Sequence, residues 1–367
     1  MTSASRIPRS PEEITPEWLT SALREGGVIR DARVTSVSTS AIGAGAGFLG
    51  QLAKVAVEYD RPEPGAPSSM IFKVPTLDPG GREVSNLFRF YEREINFYRE
   101  IAPEMKIRTP RLYYSHMDIA GDEYVLLIED LHPARFGDEV NSCSIEGAER
   151  AITELAEYQA LWWEHPKLDS MDWMPYVNAP VHQSAEQSYH QAWEPFCQMF
   201  GEMIPAGVMP MCEEMKNHVI DLLNIFEPGP RTIIHGDYRL DNIFFDHPDG
   251  SPVAAIDWQI SSRGRGIFDV AYFISSSLDQ EPRRAHEERL VRKWYDIVTD
   301  GPGRKSYTFD EAWLNYRQGV LYTNIYTVIG IGTLDAANER GMALFKKWLT
   351  RRTSAMADLM CGEVMPR

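Results

Sequence analysis

Cysteine is scarce: Cys143, Cys197, Cys212 and Cys361 are the only four in 367 residues. They are widely spaced and form no C-x-x-C pair, which argues against zinc and disulfide frameworks. Scattered single thiols fit a reducing, cytoplasmic setting. Basic residues are also outnumbered, 37 Lys and Arg against 53 Asp and Glu, for a formal charge of −16. Nucleic acid and anionic membranes both call for basic surface, so neither is expected as a partner. Long apolar runs are missing. The richest, Gly319 to Leu334, is broken by Tyr, Thr, Asn and three glycines, and reads as a buried helix and its exit. The opening MTSASRIPRSPEEITPEW has no apolar core and does not read as a signal peptide. No internal repeat or low-complexity segment stands out. What is present is ordinary for a globular chain, 43% hydrophobic and 25% charged, with length for two cored lobes or one large domain.

The chain is organised around Thr232 to Trp258, TIIHGDYRLDNIFFDHPDGSPVAAIDW. Ile233-Ile234, Ile243 to Phe245 and Val253 to Ile256 read as three short strands, and Asp246 to Gly250 as a turn. A hairpin that starts after Asn242 and closes before Asp257 brings those two side chains to one end of the ribbon. An amide oxygen and a carboxylate are hard ligands suited to Mg²⁺ held partly by phosphates. Asp237, five residues before Asn242, is then free to orient a hydroxyl and accept its proton. A lone Asp-rich loop is usually no more than a set of Asx turns. Here three roles fall at the right spacings.

Upstream, Thr15-Pro16-Glu17 opens a helix that Gly26-Gly27 stops, with Trp18, Leu19, Ala22 and Leu23 on its apolar face. Val34 to Ser40 and Leu52 to Tyr59 read as strands around Ile42-Gly-Ala-Gly-Ala-Gly-Phe-Leu-Gly50. Gly43, Gly45 and Gly47 would let a backbone hairpin lie close over phosphates. Most Gly-rich turns are simply turns, and this one lacks the P-loop lysine. Met70 to Val74 is a short strand carrying Lys73. Asn86 to Ile101 reads as one helix with Leu87, Phe90, Tyr91, Ile95, Phe97, Tyr98 and Ile101 on one stripe. Glu92, Arg93, Asn96, Arg99 and Glu100 fall on the opposite face. Glu94 lies near the centre of the apolar stripe, where an unpaired carboxylate is costly, so it is expected to pair with Lys73.

The H-G-D-x-x-x-x-N pattern at His235, Gly236, Asp237 and Asn242, followed by Asp257, resembles the aminoglycoside phosphotransferase and choline kinase group. The whole chain is most similar to its ecdysteroid-kinase-like branch and bacterial relatives. The resemblance implies an α+β, protein-kinase-like bilobal fold. A small antiparallel-sheet N-lobe would span residues 1–128, a connector 129–131, and a larger, mainly helical C-lobe 132–367. It implies ATP and Mg²⁺ as cofactors. The loop of Gly43, Gly45 and Gly47 would cover the phosphates, and Lys73, held by Glu94, would contact them. The backbone between Glu129 and Leu131 would meet the adenine edge. Asp237 would be catalytic, and Asn242 and Asp257 would bind the metal. HRD, DFG and APE motifs are missing, so a peptide substrate is not expected.

Asp269 precedes a helix and reads as a plain N-cap. The resemblance makes it instead the acid that ties its helix to the catalytic loop. His235 is expected to brace that loop, and Ser262 to Gly266 to form a flexible basic loop with Arg263 and Arg265 solvated or on phosphate. Trp313 to Ile331 and Ala343 to Met360 would close the chain as helices. The Trp- and Met-rich middle is mostly core, with a minority left to line an adaptable apolar pocket. Transfer of the ATP γ-phosphoryl group to a small-molecule hydroxyl follows, on an apolar or amphipathic acceptor. Two other readings stay open: a nucleotide-binding protein without transfer, and a metal-dependent hydrolase. The oligomeric state has no signature in the sequence.

Overall fold

The computed structural model describes residues 7–42, 49–330 and 339–366. The chain divides into two compact units, residues 1–104 with 109–132, and residues 105–108 with 133–367.

The first unit opens with α1 (Pro16–Glu25), whose N-cap Thr15 accepts a hydrogen bond from the Trp18 amide at 3.1 Å. Five antiparallel strands follow: β1 (Val34–Ala41), β2 (Gly50–Tyr59), β3 (Ser69–Pro75), β4 (Leu112–Asp118) and β5 (Glu123–Glu129). Their order is β1-β2-β3-β5-β4. Alternation puts Val55, Val57, Met70, Phe72, Val125 and Leu127 on one buried face with Trp18, Leu19 and Leu23 of α1. Trp18 meets Phe72 and Tyr114 edge-on, with ring centroids 6.1 and 5.9 Å apart.

The segment expected as one helix over 86–101 is broken. The helix α2 (Pro79–Leu87) ends, Arg89 turns left-handed at φ 57°, and α3 (Phe90–Asn96) starts afresh, widening to π-helical bonding over Phe97–Ile101. Leu87, assigned to the apolar stripe, is 61% exposed. Glu92, Arg93 and Asn96, assigned to the polar face, are buried. The wheel assumed a half-solvated helix, but α3 is covered all round. Its charges are answered locally: Arg89 holds Glu92, and Arg93 donates to the Phe88 carbonyl at 2.6 Å.

The second unit carries β6 (Arg135–Phe136), then α4 (Ile145–Leu161), α5 (Ser184–Phe200), α6 (Met209–Glu214) and α7 (Val219–Phe226). Next come β7 (Thr232–Ile234), β8 (Ile243–Phe245), β9 (Val253–Ala255) and β10 (Ser262–Gly264). The unit closes with α8 (Ile267–Ser277), α9 (Gln280–Val298), α10 (Phe309–Ile329) and α11 (Glu339–Asp358). β6, β8 and β9 form one small sheet and β7 pairs with β10. The last two helices start earlier than their apolar periodicity suggested, α10 because Thr308 and Glu311 form a capping box. Gly319 lets α10 approach α8, since a Cβ there would sit 2.6 Å from that of Ala271.

Residues 262–266 are not a flexible basic loop. Arg263 lies in β10 opposite Ile233, buried, with its guanidinium 3.9 Å from the Tyr176 ring centre and a hydrogen bond to the Leu168 carbonyl. Arg265 donates to the Pro228 carbonyl at 2.7 Å and to Asn315. Both arginines are structural ties that composition alone could not reveal. Trp162, Trp163, Trp173 and Trp193 are buried, whereas Met199 and Met203 are 53% and 40% exposed. Among the described residues, no helix is long and apolar enough to cross a membrane.

Candidate functional site

The turn between β7 and β8 is held from below by one carboxylate. Asp269 sits inside the first turn of α8, fully buried, so it is not an N-cap. One of its oxygens accepts from the Gly236 amide at 2.9 Å, the other from the His235 amide at 2.8 Å. The Tyr158 hydroxyl and Gln159 Nε2 donate to the second oxygen at 3.2 and 3.1 Å. Burial pushes the Asp269 carboxyl up to about 7, opposed by these four hydrogen bonds. Gly236 has φ 87°, and a Cβ there would lie 2.8 Å from the Ile260 carbonyl oxygen, so only glycine lets the chain pass.

His235 is buried and ties the turn to the end of β9. Its Nε2 lies 2.9 Å from the Ile256 carbonyl and its Nδ1 3.3 Å from the Asp237 amide. The tautomer protonated on Nε2 satisfies both contacts. Burial lowers its pKa and keeps the ring neutral.

Asp237 is 21% exposed at its side chain, unlike its buried neighbours. Asn242 Nδ2 donates to both its carbonyl and its Oδ2, each at 2.9 Å. Arg239 Nε reaches Oδ1 and Oδ2 at 3.0 and 3.1 Å. Burial and the negative charge of the same carboxylate drive the phenol of Tyr272 on α8 well above its ordinary value. The Asn242 nitrogen is therefore committed, which leaves its oxygen as the donor atom for a ligand.

Asn242 immediately precedes β8, and Asp257 follows β9. Ile243 pairs with Ala255, and the Ile256 amide donates to the Asn242 carbonyl at 3.0 Å, so the hairpin brings 242 and 257 to one end. Asp257 adopts φ 64°, a left-handed conformation that Asp and Asn take up more readily than other non-glycine residues. Among the described residues no cluster of three or more His, Cys, Asp and Glu is arranged to hold a metal by itself. One carboxylate and one amide oxygen make a sparse shell of the kind that suits Mg²⁺, which keeps waters and phosphate oxygens as ligands.

In the first unit, Lys73 of β3 and Glu94 of α3 form an ion pair at 2.7 Å, their side chains 10% and 5% exposed. Lys73 stands between Leu52 of β2 and Leu126 of β5 in the sheet register. Gly43, Gly45 and Gly47 lie outside the described residues. Glu129 ends β5 and is not free connector: its amide donates to the Arg111 carbonyl and its Oε2 accepts from the Arg111 amide, both at 2.9 Å. Leu131 is buried, and Asp130 between them holds Lys54 at 2.7 Å.

Sequence reasoning missed Glu139, Gln159, Arg239, Tyr272 and Trp348. Gln159 alone carried a signal, since it falls on the apolar stripe of Ala148, Ile152 and Leu155, where a polar group needs partners. The others belong to no periodic pattern that marks them.

Residues 44–300 match the ecdysteroid kinase-like family, and the chain belongs to it. The fold is protein-kinase-like. It is shared with choline kinase from Cryptosporidium parvum, at 10% identity, TM-score 0.57, and 96% and 98% of the two chains covered. It is shared with ethanolamine kinase from Plasmodium vivax, at 10% identity, TM-score 0.54, and 90% and 85% covered. The GDP complex of aminoglycoside 2'-phosphotransferase-IIIa is similar at 14% identity, TM-score 0.53, with 92% and 99% covered. At these identities the likeness is one of fold. A kinase-like protein of Caenorhabditis elegans is 26% identical over 102 residues, 28% of this chain and 27% of that one. Acyl-CoA dehydrogenase family member 10 of Mus musculus is 50% identical over 42 residues, 11% of this chain and 4% of that one. The chain thus spans well under a third of either relative's length.

Two stability predictions follow from these contacts. Asp269→Asn turns one acceptor into a donor facing a peptide N–H, and should cost about 2 kcal/mol in a denaturant titration. Because the folded-state pKa of Asp269 is raised to about 7, its contribution is fully present below the unfolded value and lost as pH rises through 7. The gap between parent and Asp269→Asn should therefore narrow from pH 4 to pH 8; a widening gap would contradict the raised pKa. Lys73→Ala leaves Glu94 buried without its cation and should cost about 3 kcal/mol, read by the same titration.

Proposed function

We propose that the protein is a small-molecule kinase that transfers the γ-phosphoryl group of ATP to an acceptor hydroxyl, with Mg²⁺. The observation that carries this reading is Asp237. It is the more exposed of the turn's two carboxylates, 21% against 14% for Asp241, and Arg239 and Asn242 hold it in place. A carboxylate positioned in this way can accept a hydrogen bond from an alcohol, align its oxygen and take its proton as the bond to phosphorus forms.

Asn242 and Asp257 would hold Mg²⁺, which supplies positive charge against the phosphate oxygens. Lys73, oriented by Glu94, would bind phosphate oxygens as a point charge. The loop of Gly43, Gly45 and Gly47 would offer backbone N–H groups to the phosphates, and the backbone from Glu129 to Leu131 would meet the adenine edge. In this division of labour residues 1–128 serve the nucleotide, 129–131 connect, and 132–367 carry the base and the acceptor site. The four free thiols suit action in the cytoplasm. The structural relatives are named for choline, ethanolamine and aminoglycoside acceptors, and the family for ecdysteroids. We assign this chain an apolar or amphipathic alcohol, in keeping with its aromatic, Met-rich second unit. A binding protein without transfer is disfavoured by the intact set of Lys73, Glu94, Asp237, Asn242 and Asp257. A metal hydrolase leaves the Lys73–Glu94 pair without a use.

The test is ATP consumption over a panel of neutral, amino- and acyl-thioester alcohols, with phosphorylated product identified by mass. Asp237→Asn keeps the shape of the side chain and removes its charge. Transfer should fall roughly 10²–10⁴-fold while Mg·ATP affinity stays within a few-fold of the parent. Asp257→Ala should do the opposite to binding: calorimetric Mg·ATP affinity weakens clearly, with little change in the ligand-free melting temperature. Unchanged affinity in Asp257→Ala would remove that residue from the metal site.

A further inference from the structure

Arg239 has a longer reach than its pairing with Asp237. Its Nε spans both Asp237 oxygens, and its Nη1 donates to Asp241 Oδ2 at 2.9 Å, so the guanidinium plane is fixed along two edges. One face lies 5.2 Å from the ring centre of Trp348, halfway along α11. Trp348 is itself fixed. Its indole N–H donates to Glu139 Oε1 at 3.0 Å, and Arg352 lies 5.0 Å from its ring. Arg352 cannot swing away: Ser276, the Thr323 carbonyl and Thr327 hold it at 2.7–2.9 Å, and it is fully buried.

Glu139 closes the circuit. Its other oxygen accepts from the Leu240 amide at 3.0 Å and from Ser277 Oγ at 2.8 Å. One buried carboxylate thus grips both the residue after Arg239 and the tryptophan beneath Arg239. Burial raises the Glu139 pKa, so keeping it there is costly, and the donors come from three separate segments. A cheaper core would serve if packing were all that α11 had to provide.

We propose that Arg239, seated on Trp348, is the positioning residue for Asp237, and that α11 is thereby a working part of the catalytic turn. The inference rests on the base role assigned to Asp237 above. A carboxylate that must align a hydroxyl needs its own rotamer fixed within tenths of an ångström. Asn242 donates to one oxygen, whereas Arg239 spans both. The cation's attraction to the indole face sets how far Arg239 can move.

Trp348→Ala removes the seat, Trp348→Phe keeps a ring with a weaker hold on a cation, and Arg239→Lys replaces the fork with a single charge. With an alcohol that the parent phosphorylates, kcat should fall about 10²-fold in Arg239→Lys and Trp348→Ala, as for a misplacement of about 1 Å. The fall should be smaller in Trp348→Phe, with Mg·ATP affinity within twofold throughout. Unchanged kcat would overturn the proposal, and so would a parallel loss of ATP affinity, which would make Arg239 part of the nucleotide site. If Trp348→Ala fails to fold, Trp348→Phe and Arg239→Lys carry the test. If the parent phosphorylates no member of the panel, the transfer reading itself is in difficulty. Crystal structures of Arg239→Lys and Trp348→Phe then decide this one, which fails if the Asp237 carboxylate keeps its place in both.

Discussion

A single carboxylate, that of Asp269, turns two backbone amides toward itself and thereby fixes where everything else in the turn points. His235 and Gly236 give their N–H groups to it, so the next residue, Asp237, leaves the turn in one direction only. Gly236 supplies the positive φ this geometry needs. Tyr158 and Gln159 complete the carboxylate's shell, which ties α4 to α8 through the oxygen that also accepts from His235. Trp294 of α9 then holds Gln159 by its Oε1 at 2.7 Å, which fixes which end of that amide faces Asp269. The order of dependence runs inward from three helices to one side chain and then outward along the turn.

The second unit places several charges where solvent cannot reach them, and it does so with a consistent chemistry. Arg351 gives its guanidinium to the Glu139 and Ser276 carbonyls and to Asp279, and Arg283 is shared between Glu287 and Asp358. Arg352 has hydroxyls and a carbonyl as hydrogen-bond partners, and two aromatic rings for company. Burying such groups adds little net stability, because desolvation offsets most of the attraction. What it provides is a unique arrangement, since a shifted helix would strand a charge. The helix α11 is registered against the turn of residues 235–242 through such buried ties, Trp348 and Arg351 both reaching Glu139.

The strands β1, β2, β3, β7, β8 and β9, the α1 cap at Thr15 and the hairpin from Asn242 to Asp257 were legible because each rests on local chemistry, whereas β6 and β10 were not read as strands. The Lys73–Glu94 contact was legible too, because a carboxylate on an apolar stripe must find a cation and the neighbouring strand offered one. The break at Arg89 was not, because the helical period continues across it and a left-handed residue leaves no mark in the pattern. Arg263 and Arg265 misled by composition: glycine and arginine in alternation look solvated, yet here glycine lets the strand pack and arginine ties it down. Arg239 was not singled out, because its partner is not in the pattern around it. It lies between Asp237 and Asp241 in sequence, and the tertiary position of Trp348 reveals what it is seated on.

Gly236 and Asp257, at the two ends of the site, both have positive φ, and the contrast between them is informative. At Gly236 the conformation is free, because glycine has no Cβ to clash, and a side chain there would strike the Ile260 carbonyl. At Asp257 aspartate tolerates it better than most side chains, as at Asp122 and Asp246, and asparagine or glycine would keep the turn equally well. Neither of those residues carries a negative charge. Asp257 keeps a negative charge there, partly exposed and at the same end of the hairpin as an amide whose nitrogen is already committed.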